Sequence, residues 1–172
     1  MVKQTIVFDA NILIDLVKVE KELLHLLSKE FNLVVPDLIL SEVDGLNESA
    51  AEENGLMLME TPLELIEISQ KKLKGCSFQD TVCFQIARAN KWICATNDKK
   101  LGRECRKAQV KVVRSFRLLI MLIERKAISR TRAITIAIRM TEINPQLTAE
   151  VLKDFIREVE KKTPEGRDHG AE

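Results

Sequence analysis

Short runs of apolar residues alternate along this chain with longer segments in which apolar positions recur at helical spacing. Runs of strand length occupy residues 5–8, 33–35, 56–59, 92–96 and 110–113. Alternation of strands and helices is typical of βαβ units, whose strands pair in parallel. The pattern therefore predicts an α/β fold with a central parallel sheet of about five strands.

Helical periodicity fills the segments between these runs. The predicted helices cover residues 11–19, 21–29, 37–43, 62–73, 79–90 and 98–107. Pro62 suits the first turn of a helix, and Ser77 can cap the start of the next one. From Ser115 onward the pattern is purely helical, with helices at residues 116–126, 130–140 and 148–161.

The pattern divides the chain into three parts. Residues 1–115 carry all the predicted strands and form the main α/β domain. Residues 116–162 form a helical extension packed on that domain or beside it. Residues 163–172 are polar and contain Gly and Pro, so we expect them to be disordered.

The composition fits a globular domain without membrane segments. Of the 172 residues, 45% are apolar and 31% are charged, which is the balance of a chain that buries a sizeable core. The longest apolar run, at residues 118–123, is much shorter than the roughly 20 residues of a membrane span. The N-terminus runs directly into the first strand and shows no signal peptide. We therefore expect a cytoplasmic protein without membrane contact.

The four cysteines do not form the pattern of a zinc site. They contain no CxxC pair and have no His nearby at ligand spacing. Cys83 and Cys94 lie in apolar runs, which indicates small buried side chains. We expect all four, Cys76, Cys83, Cys94 and Cys105, to be reduced structural thiols.

Positive and negative residues are unevenly distributed along the chain. The net charge is −10 over residues 1–70, +13 over residues 71–142 and −2 over the last thirty, which together give +1. The basic second half could therefore face a polyanion. Alternatively, many of these Lys and Arg side chains only solvate helix faces.

Four acidic residues stand where an open parallel sheet binds its ligands, beyond the carboxyl ends of the strands. Asp9 directly follows the first predicted strand, and Asp98 lies two residues after the fourth. Glu42 lies on the helix after the second strand, and Asp80 begins the helix before the fourth. Converging carboxylates repel one another, so a divalent cation is expected among them, and oxygen ligands favour Mg²⁺ or Mn²⁺ over zinc.

Each of these acids also has a simpler interpretation. Asp9, Asp80 and Asp98 could act as helix caps, a role that is compatible with binding a metal. Glu42 could be a solvated helix residue. Asp15 is interpreted as a helix-face residue and is left outside the site, as are Asp37, Asp44, His25 and His169. Trp92 is expected to belong to the core rather than to stack on a base.

The sequence context of the four acids resembles a known family. The segments VFDANILIDL, PDLILSEV, FQDTVCFQIARA and ICATNDKKL resemble, in that order, the signature segments of PIN-domain nucleases, which include the VapC-type toxin ribonucleases. The resemblance covers about residues 4–115. The segments LLIMLIERKAIS and VLKDFIREV resemble the tail of a PIN subgroup with extra C-terminal helices. The resemblance to PIN-domain nucleases implies a three-layer α/β/α fold and metal-dependent cleavage of RNA phosphodiester bonds.

The resemblance also assigns roles to individual residues. Asp9, Glu42, Asp80 and Asp98 match the metal-binding and catalytic acids of the family, whose cofactor is Mg²⁺ or Mn²⁺. The supporting polar positions match Asn11, Thr96 and Asn97. Some relatives carry a further acid just after the last Asp, where this chain has Lys99 and Lys100, which puts a second metal site in doubt. Four basic residues near the site are expected to bind RNA phosphates: Lys99, Lys100, Arg103 and Arg106.

Partners and rival functions complete the set of expectations. The resemblance implies a homodimer, and the apolar tail could either pack over the sheet or dock the helix of an antitoxin. A response-regulator receiver is a poor match, because Glu60-Thr61-Pro62 follows the third strand. A haloacid-dehalogenase-type phosphatase needs DxD, whereas this chain has Asp9-Ala10-Asn11. The remaining alternative is a catalytically weak PIN-fold RNA-binding or scaffold protein.

Overall fold

A five-stranded, all-parallel sheet forms the centre of the computed structural model, which describes residues 2–161. Its strand order is β3-β2-β1-β4-β5. The strands are Thr5–Phe8 (β1), Asn32–Pro36 (β2), Leu56–Met59 (β3), Ile93–Ala95 (β4) and Val112–Val113 (β5). The predicted α/β fold with a parallel sheet of about five strands is therefore confirmed.

Helices connect the strands and complete the described chain. Those of the first half are Ala10–Glu20 (α1), Glu22–Glu30 (α2), Asp37–Leu40 (α3), Glu48–Glu53 (α4) and Leu63–Ser69 (α5). Those of the second half are Phe78–Asn90 (α6), Lys99–Lys107 (α7), Ser115–Glu124 (α8), Arg130–Ile143 (α9) and Ala149–Lys161 (α10). None of the helices in residues 2–161 combines the length and the apolar character that a bilayer crossing needs.

Both faces of the sheet are buried, and alternate positions of the strands serve different cores. Ile6 and Phe8 belong to a core shared with α1, α2 and the C-terminal helices. Val7, which pairs with Val34 and Cys94 on either side, belongs to a second core under α6 and α7. This division explains why successive strand positions such as Ile6, Val7 and Phe8 are all apolar, as in parallel strands covered on both faces.

The C-terminal helices pack on the first of these cores. The rings of Phe116 in α8 and Phe155 in α10 lie 4.9 Å apart between centroids. Ala133 and Met140 of α9 are fully buried. Residues 116–161 therefore share one apolar core with α1 and the sheet. The predicted disordered tail, residues 163–172, lies outside the described residues.

Two predicted helices of the first half are shorter than expected, and one helix there was not predicted. The helix expected to reach Val43 ends at Leu40, where the chain enters a turn. The helix expected to reach Leu73 ends at Ser69, and Gly75 then takes the left-handed conformation at φ +76°. A polar patch that had no predicted structure forms α4, because the Asn47 side chain accepts a hydrogen bond from Ala50 N. Capping therefore decided this helix where hydrophobic periodicity gave no signal.

Cys83 and Cys94 are fully buried, as predicted. Their sulfur atoms are 3.8 Å apart and both belong to the second core. All four cysteines are free thiols, and burial raises the pKa of the Cys76 thiol to about 11, with Asp80 and Asp98 adding to the effect. These side chains therefore serve packing rather than thiolate chemistry at neutral pH.

Candidate functional site

Asp9 lies at the carboxyl edge of β1 and is almost fully buried, with 2% of its surface exposed. Its backbone N–H donates to Ala95 O at 3.0 Å, which fixes it beside the end of β4. Its Oδ1 accepts from Ala10 N at 2.8 Å and caps α1. Its Oδ2 accepts from Thr96 Oγ1 at 2.8 Å and from Asn11 Nδ2 at 2.5 Å. The carboxylate is therefore held in one orientation by three donors.

Asp98 is the N-cap of α7, whereas Asp80 lies in the first turn of α6 and supports the N-cap Ser77. Asp98 Oδ1 accepts from Leu101 N at 2.7 Å. Asp80 Oδ2 accepts from Ser77 N at 2.7 Å, and Ser77 Oγ accepts from Asp80 N in return, which forms a capping box. Within the described residues, Asp80 Oδ1 and Asp98 Oδ2 receive no hydrogen bond. The capping interpretation is thus correct for Asp98, while Asp80 is the reciprocal partner of the Ser77 cap, and each acid keeps one oxygen for a ligand.

The acids at this edge affect one another electrostatically. The pKa of Asp9 is raised to about 7, chiefly by burial and then by the nearby charges of Asp80 and Asp98. The pKa of Glu42 is also raised, by desolvation and by Asp80. Like charges shift a pKa in this way only when they are close, so the fold brings all four acids toward one edge. We refer to Asp9, Glu42, Asp80 and Asp98 as the acid edge.

Glu42 differs from its predicted position. It does not lie on a helix, because α3 ends at Leu40 and Glu42 N then donates to Ile39 O within a turn. Its side chain is exposed. Glu42 is therefore the outermost member of the acid edge, whereas Asp9 is the innermost.

The acid edge fits a hydrated cation better than a closed metal cage. Within residues 2–161, no three His, Cys, Asp or Glu side chains stand close enough to form a complete ligand set. Mg²⁺ keeps several waters and typically binds one or two carboxylates directly. The buried Asp9, with its raised pKa, is the group that a cation would stabilise most, because the cation favours the ionised carboxylate. All-oxygen donors suit Mg²⁺ or Mn²⁺.

The supporting polar residues connect the ends of β1 and β4. Thr96 Oγ1 donates to Asp9 and accepts from Asp98 N at 3.0 Å, so it joins two acids. Asn11 Oδ1 accepts from Asn97 N at 3.0 Å. Thr96 and Asn97 are buried. These contacts fix the loop that carries Asp98 against the start of α1.

A network beneath this loop joins Asn97 and Asp15 to Ser115 and Asn144, two residues that the sequence analysis did not single out. Asp15 Oδ2 accepts from Asn97 Nδ2 at 3.0 Å and from Asn144 Nδ2 at 2.6 Å. Asn97 Nδ2 also contacts Ser115 Oγ at 2.7 Å, and Ser115 N donates to Asn97 Oδ1. We call Asp15, Asn97, Ser115 and Asn144 the polar bolt. It joins the acid edge to the start of α8 and the end of α9.

The interpretation of Asp15 as a helix-face residue was wrong in one respect, because its side chain is 94% buried. Burial raises its pKa, and the donors Asn144 and Asn97 partly offset that effect. A signal was present: Asp15 lies on the same helical stripe as Ile12 and Val19, which are buried. An acid on an apolar stripe needs a polar partner.

The predicted phosphate-binding residues line α7 directly after Asp98. Lys99, Lys100, Arg103 and Arg106 are exposed. Arg103 pairs with Glu104, which also binds Lys107 at 2.9 Å. The Lys100 side chain crosses the turn at Gly75, where an added Cβ would lie 3.0 Å from Lys100 Cδ. The Lys100 side chain therefore extends from α7 to the turn at Gly75, which precedes Asp80 in sequence.

Neither a protein-family model nor a curated protein matches this chain. The functional assignment therefore rests on the motifs and on the geometry of the acid edge.

Proposed function

We propose that this chain is a divalent-metal-dependent ribonuclease of the PIN-domain type, hydrolysing RNA phosphodiester bonds at the acid edge. The observation that carries the proposal is Asp9, a buried carboxylate at the carboxyl edge of a parallel sheet whose pKa is raised to about 7 by burial and by two neighbouring acids. Keeping this buried carboxylate ionised costs free energy unless a nearby cation compensates for its charge. The resemblance of the four motif segments suggests the PIN-domain family. The exposed basic residues of α7 favour a nucleic acid as the substrate.

The proposed reaction is hydrolysis, in which a water oxygen bonds to phosphorus and one backbone P–O bond breaks. A bound Mg²⁺ or Mn²⁺ would supply a water of lowered pKa and neutralise phosphate charge. Asp9 and Asp98 would hold the ion directly, and Asp80 would reach it through a bound water, since no three such side chains within residues 2–161 form a complete ligand set. Glu42, exposed and with a raised pKa, would accept a proton from the water. Thr96 and Asn11 would keep Asp9 oriented.

The proposed substrate contacts are electrostatic. Lys99, Lys100, Arg103 and Arg106 begin immediately beside Asp98 and would bind phosphates on either side of the scissile bond. Since Lys99 and Lys100 stand where a further acid would serve a second metal, we propose one strongly held ion. A homodimer and an antitoxin partner are proposed from the family resemblance, and exposed apolar residues such as Leu63 and Ile68 on α5 are available for such contacts.

A second candidate function is RNA binding or scaffolding with little catalysis. The observation that favours it is the absence, among the described residues, of a preformed set of three metal ligands. Both candidates predict RNA binding through α7, but only the nuclease predicts turnover that requires a metal.

The experiment that separates them is cleavage of a mixed panel of labelled RNAs with Mg²⁺, Mn²⁺ or EDTA. The nuclease proposal predicts shortened products with either metal and none with EDTA. RNA that is bound but never cut, under conditions in which an established PIN nuclease cuts the same panel, would favour the binding protein. RNA that is neither bound nor cut would refute both.

A further inference from the structure

The opposite edge of the sheet holds a pocket that the proposed reaction does not use. A cavity of about 510 Å³ lies where β1 and β4 begin, between the end of α6 and the turn from α7 to β5, within the size range of small-ligand sites. The residues that matter here are Gln4, Arg88, Lys91, Trp92, Ala108 and Lys111. We call this cavity the amino-edge pocket, because the strands run from it toward the acid edge.

The amino-edge pocket has an unbalanced positive charge. Arg88, Lys91 and Lys111 line it, and none of its lining residues is Asp or Glu. All three cations are exposed, and the ion pairs found within residues 2–161 do not include them. Their charge is therefore left for an anion from outside the protein.

A neighbouring cavity differs from the amino-edge pocket, because its arginines form ion pairs with acidic residues. The second cavity, of about 380 Å³, shares Lys111 with the amino-edge pocket and is also lined by Arg117 and Arg125. There, Arg117 pairs with Glu124 and Glu158. Arg125 pairs with Glu30 and lies over the Phe31 ring at 5.5 Å. Arg117 and Arg125 therefore have acidic partners, whereas the ion pairs within residues 2–161 include none of Arg88, Lys91 and Lys111.

An aromatic ring lies among these cations. Trp92 lines the pocket and is partly exposed, so the expectation that it belongs to the core holds only for the side that packs on the second core. The left-handed Lys91 (φ 56°) ends α6 and turns the chain, and Trp92 N then donates to Ala87 O at 2.9 Å. This turn places a lysine and an indole side by side. Proteins commonly bind single-stranded nucleic acids with basic side chains on the phosphates and aromatic rings stacked on the bases.

Helix α7 connects the two edges. It starts at Asp98 and ends beside Ala108, which lines the amino-edge pocket. Its nine residues span about 13 Å. Of its exposed cations, Arg103 and Lys107 pair with Glu104, whereas Lys99, Lys100 and Arg106 are in none of the ion pairs within residues 2–161. An RNA strand held at the acid edge can therefore follow α7 to the pocket without leaving positive charge.

We propose that the amino-edge pocket binds a nucleotide of single-stranded RNA, with its phosphate on Arg88, Lys91 and Lys111 and its base against Trp92. The substrate then spans both edges of the sheet. The choice of RNA rests on the proposed nuclease function, but the pocket itself does not depend on a metal.

Trp92 is the only tryptophan of the chain, so its fluorescence reports on this pocket directly. The probe is a single-stranded RNA of about eight nucleotides, titrated in EDTA so that it stays intact. We expect the RNA to quench Trp92, and the double variant Arg88→Gln/Lys111→Gln to weaken binding by about tenfold or more. The slope of log Kd against the logarithm of the salt concentration should be smaller by about 1.4 in that variant. Each phosphate contact to a single strand contributes about 0.7 to this slope, and the variant removes two.

The matched control is Lys29→Gln/Lys153→Gln, which removes two exposed charges from α2 and α10 and should bind RNA as the wild type does. Inorganic phosphate and a nucleoside monophosphate serve as further probes. If they quench Trp92 as strongly as the oligonucleotide at equal concentration, the pocket is a small-anion site and the inference is overturned.

The remaining outcomes separate this inference from the proposed function. RNA that binds with unchanged Trp92 fluorescence and an unchanged salt slope in the double variant would overturn the pocket, even if metal-dependent cleavage is found. Quenching by RNA with the expected loss of slope would support the pocket, even if no metal supports cleavage and the nuclease proposal fails.

Discussion

Asp9 concentrates the chemistry of this molecule in a single residue. It is an almost completely buried carboxylate with a pKa raised to about 7, and its neighbours Asp80 and Asp98 add to the effect of burial. The folded chain keeps a proton on Asp9 that the unfolded chain, with a carboxyl pKa of 3.8, has already lost above about pH 4. Stability from this group is therefore present at low pH and is lost as pH rises toward 7.

We predict that the metal-free protein becomes less stable as the pH rises from about 4.5 to about 7.5. Its free energy of unfolding should fall by at most about 1.4 kcal/mol per pH unit, and its melting temperature should fall with it. Asp9→Asn should largely remove this slope. The exposed Asp154→Asn on α10 should retain it. Added Mn²⁺ should raise the melting temperature more at the higher pH, where Asp9 is ionised. An equal slope in Asp9→Asn and wild type would contradict the assignment, because Asp15 and Glu42 would then be its source.

Thr96 acts at the same scale, since one hydroxyl serves two acids. It donates to Asp9 Oδ2 and accepts from Asp98 N. Thr96→Val removes both bonds and should slow metal-dependent cleavage by about 10- to 100-fold, as loss of a group that orients a metal ligand does. Thr96→Ser keeps the hydroxyl and should stay within a few-fold of the wild type. Single-turnover cleavage rates measure this, and equal losses in both variants would refute the orienting role.

At the scale of elements, the polar bolt makes α8 and α9 part of the site. Asn144 ends α9 and donates to Asp15 of α1, which holds Asn97 next to Asp98. A shift of the C-terminal helices would therefore reach the acid edge through two hydrogen bonds. The bolt also accounts for the position of an acid in the otherwise apolar stripe of α1.

We predict that Asn144→Ala lowers the free energy of unfolding by about 1–3 kcal/mol, because Asp15 keeps its burial and loses a donor. The control is Asn54→Ala, whose side chain donates only to Ala50 O within its own helix end. In a double-mutant cycle, Asp15→Ala and Asn144→Ala should be coupled by about 0.5 kcal/mol or more. Additive effects would mean that the two side chains do not support each other.

Elements with strong apolar patterns were predictable, and those decided by single contacts were not. The strands β1 and β3 matched their apolar runs residue for residue. α3 and α5 are shorter than predicted. After α3 the chain turns, with Glu42 N donating to Ile39 O, and after α5 Lys71 N donates to Ile68 O and Leu73 N to Thr81 Oγ1, so neither helix continues. The misplacement of Glu42 follows directly from that difference.

At the scale of the whole molecule, the parallel sheet explains the candidate site. Parallel strands end at one edge, so Asp9 and Asp98, which are far apart in sequence, become neighbours just beyond the ends of the adjacent strands β1 and β4. The shared edge followed from the sequence, because it needs only a parallel sheet, whereas the adjacency of β1 and β4 became known from the structure. The polar bolt did not, since its bonds join residues 82 and 129 positions apart and depend on how α9 packs.

The central claim is that the acid edge is a metal-dependent nuclease site, and the most direct test is the initial rate of RNA cleavage against Mn²⁺ concentration for wild type, Asp9→Asn and Asp154→Asn. We predict that wild type and Asp154→Asn respond alike and stop in EDTA, and that Asp9→Asn is slower by about 100-fold or more at every Mn²⁺ concentration. Cleavage that persists in EDTA, or an Asp9→Asn rate equal to that of the wild type, would contradict the claim.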